Sequence, residues 1–293
     1  MSGHAEATRA VSQPRRRARF SARRAWTRAG RYLVVGVALA FFLFPIYWIV
    51  VTALKLPAEF MTYPPVWFPA EPSLIQFRLV MKLRGWEALR NSLIIAGGAT
   101  VLSLVLGSLA AYSLARFNTG GRHFGFWLLS QRMMPPVVFV IPLFLLFRDL
   151  GWLDTHHGLI ALYTVFNLPY VVWMLRSYIA GVSPEIEESA LVDGSTRLGV
   201  LWRITLPLVL PGIIATATFA FIFSWTEFLF AVVLTRTNAY TLPVTISGYF
   251  GSQGSAYGQA ASLAVVATAP LFVLGLLVQR HFVRGLTLGA VRG

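Results

Sequence analysis

The chain has 293 residues, of which 56% are hydrophobic and only 12% charged, and its mean hydropathy is +0.66. That composition excludes an ordinary soluble domain and describes an integral membrane protein. No cysteine is present, which removes disulfides, thiolate catalysis and cysteine-ligated metals.

Crossing about 30 Å of hydrocarbon takes roughly 20 apolar residues. Runs of that kind lie at 32–54, 91–114, 124–147, 158–175, 209–234 and 260–278, which predicts an all-α protein of about six transmembrane helices. The net charge of +14 raises the question of nucleic acid, and its distribution answers it. Nine arginines precede Tyr32. Nine more, Arg116, Arg122, Arg132, Arg176, Arg197, Arg203, Arg280, Arg284 and Arg292, fall on the same side if the N-terminus is cytoplasmic. Those eighteen of the 25 basic residues make a positive-inside pattern, so both termini are expected in the cytoplasm and no nucleic acid as partner. The five histidines offer no pair at ligand spacing on one helix, so no metal is expected.

The leader carries PRRRARF and SARR, as an export signal could. The run at 32–54 is too long for a signal core and ends in Ala53-Leu54-Lys55 without a small-x-small cleavage pattern. Residues 1–31 are therefore expected as a basic, mostly disordered cytoplasmic tail facing anionic lipid. Between 55 and 90, Pro57, Pro64, Pro65, Pro69 and Pro72 surround Trp67 and Phe68, which reads as an external loop. In the second span, Gly97, Gly98, Gly107, Ala110 and Ala111 offer small surfaces for close helix approach.

The third span begins with Gln131-Arg132-Met133-Met134-Pro135-Pro136 and is interrupted at Pro142. Proline frees carbonyls that need partners in a bilayer, so a broken helix lining a cavity is expected, with Arg132 as a snorkelling anchor at its cytoplasmic end. The fourth span contains Tyr163, Asn167 and Pro169, and the fifth contains Ser224-Trp225-Thr226-Glu227. Glu227 is a lone acid deep in an apolar segment, where a carboxylate costs about 2.5 kcal/mol or more. It must face a partner group, a cavity or the interface. Gln131, Tyr163, Asn167, Trp225 and Glu227 are the candidates for a polar pathway.

The segment 183–207 spends its polar residues in an ordered way. Ser183 suits an N-cap, Pro184 the first helical position, and Glu185, Glu187 and Glu188 the positive end of the helix dipole. Ile186, Ala190 and Leu191 share one side, Asp193-Gly194 closes the helix, and Ser195 can cap a second one bearing Leu198, Leu201, Trp202 and Thr205. Pro207 and Pro211 limit its continuation. Read from the residues alone, this is either an interfacial hairpin joining two spans or a handle for another protein. The connector 236–259 mixes Gly248, Gly251, Gly254 and Gly258 with Tyr240, Tyr249, Phe250 and Tyr257, as a contact loop would. The chain closes on a basic tail at 280–293.

Glu188-Ser189-Ala190, then Gly194, then Ile204-Thr205-Leu206-Pro207 resembles the cytoplasmic coupling loop of bacterial ABC importer permeases, with serine replacing the first alanine of Glu-Ala-Ala. The lysine after the first span, the Pro-Pro region, Asn91-Ser92 opening the second span and the ending Gly289-Ala290-Val291-Arg292-Gly293 are similar to the second permease subunit of maltose-type carbohydrate importers. The resemblance implies the type I importer permease fold in a bacterial inner membrane. It implies Glu188, Ser189, Ala190, Asp193, Gly194, Ile204, Leu206 and Pro207 as the ATPase-coupling residues, and Tyr249, Phe250, Gly251 and Tyr257 as a contact loop for an external binding protein. The implied partners are an ABC ATPase dimer, a second homologous permease, that binding protein, a sugar or polyol solute, and lipid. No phosphate-binding glycine loop is present, so this chain is expected to bind no cofactor and to be no enzyme, ATP and Mg belonging to the ATPase. A self-contained secondary transporter or channel is the alternative. It would show ion-coupling carboxylates or repeated halves.

Overall fold

The computed structural model describes residues 15–250 and 256–289, and side chains for all of these except 15–29, Arg122, Leu129 and 280–289. Every element among the described residues is helical. The chain divides into Met1–Val50 and Val51–Gly293.

The first unit is helix α1 (Arg15–Leu54) as far as Val50. Its apolar part, from Gly30, is long enough to span a membrane, and its large side chains, among them Tyr32, Phe41 and Phe42, are exposed. The expected disordered tail is thus helical from Arg15, because arginine and alanine favour helix and nothing separates them from the apolar run. Residues 1–14 of that tail lie outside the described residues.

In the second unit, Glu59 closes the proline-rich loop by accepting hydrogen bonds from the backbone N–H groups of Leu56 and Ala70, both at 3.0 Å. The loop is shorter than expected. Helix α2 (Ile75–Val80) passes through a π-turn (Met81–Gly85) into α3 (Trp86–Arg116), since no proline follows Pro72 and the intervening residues are good helix formers. Asn91 and Ser92 therefore sit inside a helix rather than at its opening.

Helix α3 runs parallel to α6 (His156–Ala180) in constant register. A Cβ on Gly98 would stand 2.9 Å from Ile160, and one on Gly107 2.5 Å from Val171, so glycine sets the approach of the two backbones there. Ala111 is fully buried in the same seam, whereas Gly97 has open space beside it.

The third run is broken as expected, but elsewhere. Helix α4 (Gly121–Ser130) and a 3-10 turn (Gln131–Met133) end at Met134, whose extended ψ of 133° is what a following proline demands. A second 3-10 turn (Pro136–Phe139) leads to α5 (Val140–Asp149), and the two halves meet at 86°. Pro142 causes no break, because it lies in the first turn of α5, where its missing N–H costs nothing.

Helices α7 (Pro184–Val192) and α8 (Arg197–Val200) form the polar hairpin. A π-turn (Leu201–Thr205) and α9 (Leu206–Leu208) then meet α10 (Leu210–Trp225) at 84°, and α11 (Leu229–Leu234) follows a break at 226–228. The expected polar connector holds a helix of its own, α12 (Leu242–Phe250), before α13 (Tyr257–Gly289). Among the described residues four helices are long and apolar enough to span on their own, and up to six spans are counted if each bent pair is one.

At the end of the bundle remote from α7, the strand of chain after α11 is tied down by side chains. Asp154, at φ 56°, accepts from the N–H groups of Arg236, Thr237, Asn238 and Ala239 and from the Thr237 hydroxyl, at 2.7 to 3.1 Å. Asn91 Nδ2 donates to the carbonyls of Asn238 and Tyr240, its Oδ1 lies 2.8 Å from His156 Nε2, and Ser92 Oγ accepts from Leu242 N–H. The Tyr240 hydroxyl donates to Glu87, and Arg84 stacks over its ring.

Candidate functional site

Two places concentrate polar chemistry. The first is the hairpin. Ser183 holds the N-cap position of α7 in extended backbone, but its hydroxyl donates to Glu185 at 3.3 Å instead of accepting from the helix. At the other end Ser195 N–H donates to Ala190 O and Gly194 N–H to Leu191 O, a Schellman closure with Gly194 at φ 88°. Asp193 stays at φ −71°, so glycine alone makes the left-handed turn. The second helix is capped by Thr196, which accepts from Gly199 N–H at 3.1 Å, rather than by Ser195. The extended backbone that a cap needs falls one residue later because the Schellman turn consumes Ser195.

Glu188, Ser189, Asp193, Gly194 and Pro207 are exposed, Ala190 and Ile204 half-buried and Leu206 buried. Ser189 donates back to Glu185 O at 2.8 Å and so leaves the helix surface smooth. Ile186 is 48% exposed, Val192 87%, Leu198 60% and Trp202 48%, which leaves four large apolar side chains uncovered on an otherwise polar hairpin.

The acid that is buried is Glu187, 4% exposed. Its carboxylate accepts from Arg116 Nε at 2.9 Å and Nη2 at 2.8 Å, from Thr205 Oγ1 at 2.8 Å and from the Tyr112 hydroxyl at 3.1 Å. Arg116 Nη2 also donates to Val182 O at 3.0 Å. Burial on its own would raise the Glu187 carboxyl's pKa. The hydrogen bonds from Arg116, Thr205 and Tyr112 outweigh it and hold the group below the usual carboxylate range. Removing one member of a buried pair of this kind costs about 3–5 kcal/mol. The sequence reading assigned Glu187 only to the helix dipole and Arg116 only to topology. The available signal was an arginine closing one span and an acid opening the next hairpin.

The second place is a cavity of about 210 Å³ lined by Arg132, Tyr163, Asn167, Phe223, Ser224 and Glu227, among others. Glu227 sits at the break after α10 and caps α11, accepting from Phe230 N–H at 2.9 Å and Ala231 N–H at 3.2 Å. The Tyr163 hydroxyl donates to it at 2.7 Å, and Asn167 donates to Ser224 Oγ at 2.8 Å and to Ala220 O. The structure therefore brings Tyr163, Asn167 and Glu227 together. Gln131 lines an adjoining apolar cavity of about 540 Å³.

Trp225 belongs elsewhere. Its indole donates to Ala267 O at 3.0 Å and its ring stacks on Phe221, which fixes α10 to α13. Ser224 and Glu227 line the cavity, whereas Trp225 is held against α13 and does not. Arg132 is no terminal anchor either. It stacks 4.6 Å over Phe223 and 5.8 Å from Tyr170, midway along α6, because the break at Pro135 turns it into the bundle. In the contact loop, Tyr249 is half-buried, Phe250 and Tyr257 are exposed, and Gly251 lies outside the described residues. Among the described residues no group of His, Asp or Glu gathers to hold a metal.

Whole and broken apolar helices long enough to cross a membrane, bundled with a polar hairpin at one end, define a multi-span membrane protein. The chain belongs to the family described as binding-protein-dependent transport system inner membrane component, which matches residues 103–288. It is 35% identical to the diacetylchitobiose uptake system permease protein of Streptomyces coelicolor, over 85% of this chain and 92% of that protein. It is 33% identical to the trehalose/maltose transport system permease protein of Thermococcus litoralis, over 89% of this chain and 96% of that one. A chain from the crystal structure of a bacterial ABC transporter involved in import of the acidic polysaccharide alginate shares its fold. The TM-score is 0.74 over 93% of this chain and all of that one, at 22% identity. The protein is thus a multi-pass inner-membrane permease component of an ABC importer and not itself an enzyme. Family membership sets aside the self-contained transporter or channel.

Proposed function

We propose that this chain is the second permease subunit of a maltose-type importer, carrying a sugar or polyol that an external binding protein delivers. The names of its relatives, which include diacetylchitobiose and trehalose/maltose systems, support a saccharide. The positive-inside pattern of the sequence supports a cytoplasmic position for both termini and for the α7–α8 hairpin. There the hairpin docks on an ABC ATPase dimer, which holds ATP and Mg. Tyr249, Phe250, Gly251 and Tyr257 face the binding protein, and the solute passes between this chain and a second permease along the cavity of Tyr163, Asn167 and Glu227. Arg132 joins that wall, and Gln131 borders it.

The single observation that carries the docking role is the exposure of four large apolar side chains, Ile186, Val192, Leu198 and Trp202, on a hairpin closed by a Schellman turn. Such exposure is costly in water and is satisfied by a partner's cleft. The absence of cysteine in the chain makes the test direct. Ser189→Cys, exposed on α7, is expected to cross-link to a single-cysteine ATPase in the assembled importer, and Ser73→Cys on the proline-rich loop is not. Cross-linking at Ser73 alone would remove the hairpin from the interface.

A further inference from the structure

We infer that Glu187 and Arg116 are positioning residues that carry the motion of α7 into α3, so that force enters the membrane through the second span and not only along the continuous chain of the fourth. The inference rests on the reading of α7 as the helix that meets the ATPase.

By sequence, α7 follows α6 through Gly181 and Val182, a short turn that a docking force could flex. The side chains remove that freedom. Arg116, the last residue of α3, holds the turn through Val182 O and the helix through both oxygens of Glu187. Tyr112, one turn earlier on α3, donates to the same carboxylate. Thr205, at the far side of the hairpin, donates as well. Three segments distant in sequence therefore meet at one buried acid. A planar guanidinium gripping a carboxylate in two places fixes orientation as well as distance, which a lysine could not do.

Helix α3 can transmit what it receives. It lies in register along α6, with glycines closing the seam at Gly98 and Gly107, and at its other end Asn91 and Ser92 grip the backbone of 238–242. A tilt imposed at Arg116 is thus delivered to α6 and to the remote loop as one body. The breaks lie outside α3 and α6, at Met134-Pro135, at Val209 and at 226–228. Glu188, one position along on the exposed side of α7, meets the partner, whereas Glu187 meets this chain. The two adjacent acids have different tasks.

The test uses the complete importer in proteoliposomes. With Glu187→Gln the ATPase is expected to co-purify at wild-type stoichiometry and to hydrolyse ATP, while solute moved per ATP falls about tenfold or more. A ratio unchanged per assembled complex, even with a lowered melting temperature, would mean a merely structural role and overturn the inference. A second measurement needs no damaged latch. Spin labels at Thr119→Cys, beyond Arg116, and Ser195→Cys, at the hairpin elbow, report their separation with and without ATP. It is expected to stay within about 2 Å, the scale of a rigid shift, and a larger change would show that the latch opens and overturn the inference. Failure of the wild-type hairpin to bind any ATPase would instead overturn the docking reading beneath it.

Discussion

Gly194→Val is expected to cut ATP-driven uptake at least tenfold while leaving the membrane bundle folded. At φ 88° a residue with a Cβ is strained by about 1–2 kcal/mol, and a β-branched one by more, although nothing lies within 4 Å of where the Cβ would stand. The cost is therefore conformational and local. It is relieved by opening the Schellman turn, which releases Ser195 N–H from Ala190 O and frees α7 to shift against α8. Gly194→Asn, which tolerates the left-handed region, is expected to keep most of the uptake. Measuring uptake and ATP hydrolysis of both variants side by side separates strain from mere loss of glycine. Equal loss in the two would contradict the turn as the cause.

Asp154→Ala is expected to lower stability by about 2 kcal/mol, with the loss concentrated at the end of the bundle remote from α7. Four N–H groups and one hydroxyl lose a charged acceptor, and water replaces part of it because the site is near the surface. Burial by itself would raise this carboxyl's pKa, but the bonds from Arg236, Ala239 and Thr237 dominate and hold it well below the ordinary range. The stabilisation is thus fully present above about pH 4, the unfolded value, and is lost as pH falls through the lower folded one. Asp154→Asn is expected to flatten the melting temperature across that acid window. A slope as steep as wild type would assign it to other groups.

Long apolar helices were legible in the sequence because a bilayer demands long apolar runs, and Gly98, Gly107 and Ala111 were legible as points of close approach, although Gly97 beside them meets nothing. Helix α2 was hidden behind five prolines that colour the whole stretch 55–90, although the last of them is Pro72. The break at Met134 was expected in kind and displaced in place, since Pro135 and Pro142 look alike until one asks which stands in a helix's first turn. In the hairpin, Gly194 was readable from local chemistry. Glu187 was not, because its partners Arg116 and Tyr112 lie 71 and 75 residues away and only packing brings them together. Trp225 and Arg132 exchanged roles for the same reason. The ring turned to α13, and the cation, carried inward by the break, reached the cavity.

The central claim is that transport through this chain is driven from its α7–α8 hairpin by a separate ATPase. The direct measurement is solute uptake into proteoliposomes holding this chain with its second permease, with and without the ATPase and ATP, in the presence of the loaded binding protein. Uptake is expected only when ATPase and ATP are both present, and Ile186→Asp on the exposed face of α7 is expected to abolish it. Uptake by the permease chains alone, driven by an ion or solute gradient, would contradict the account.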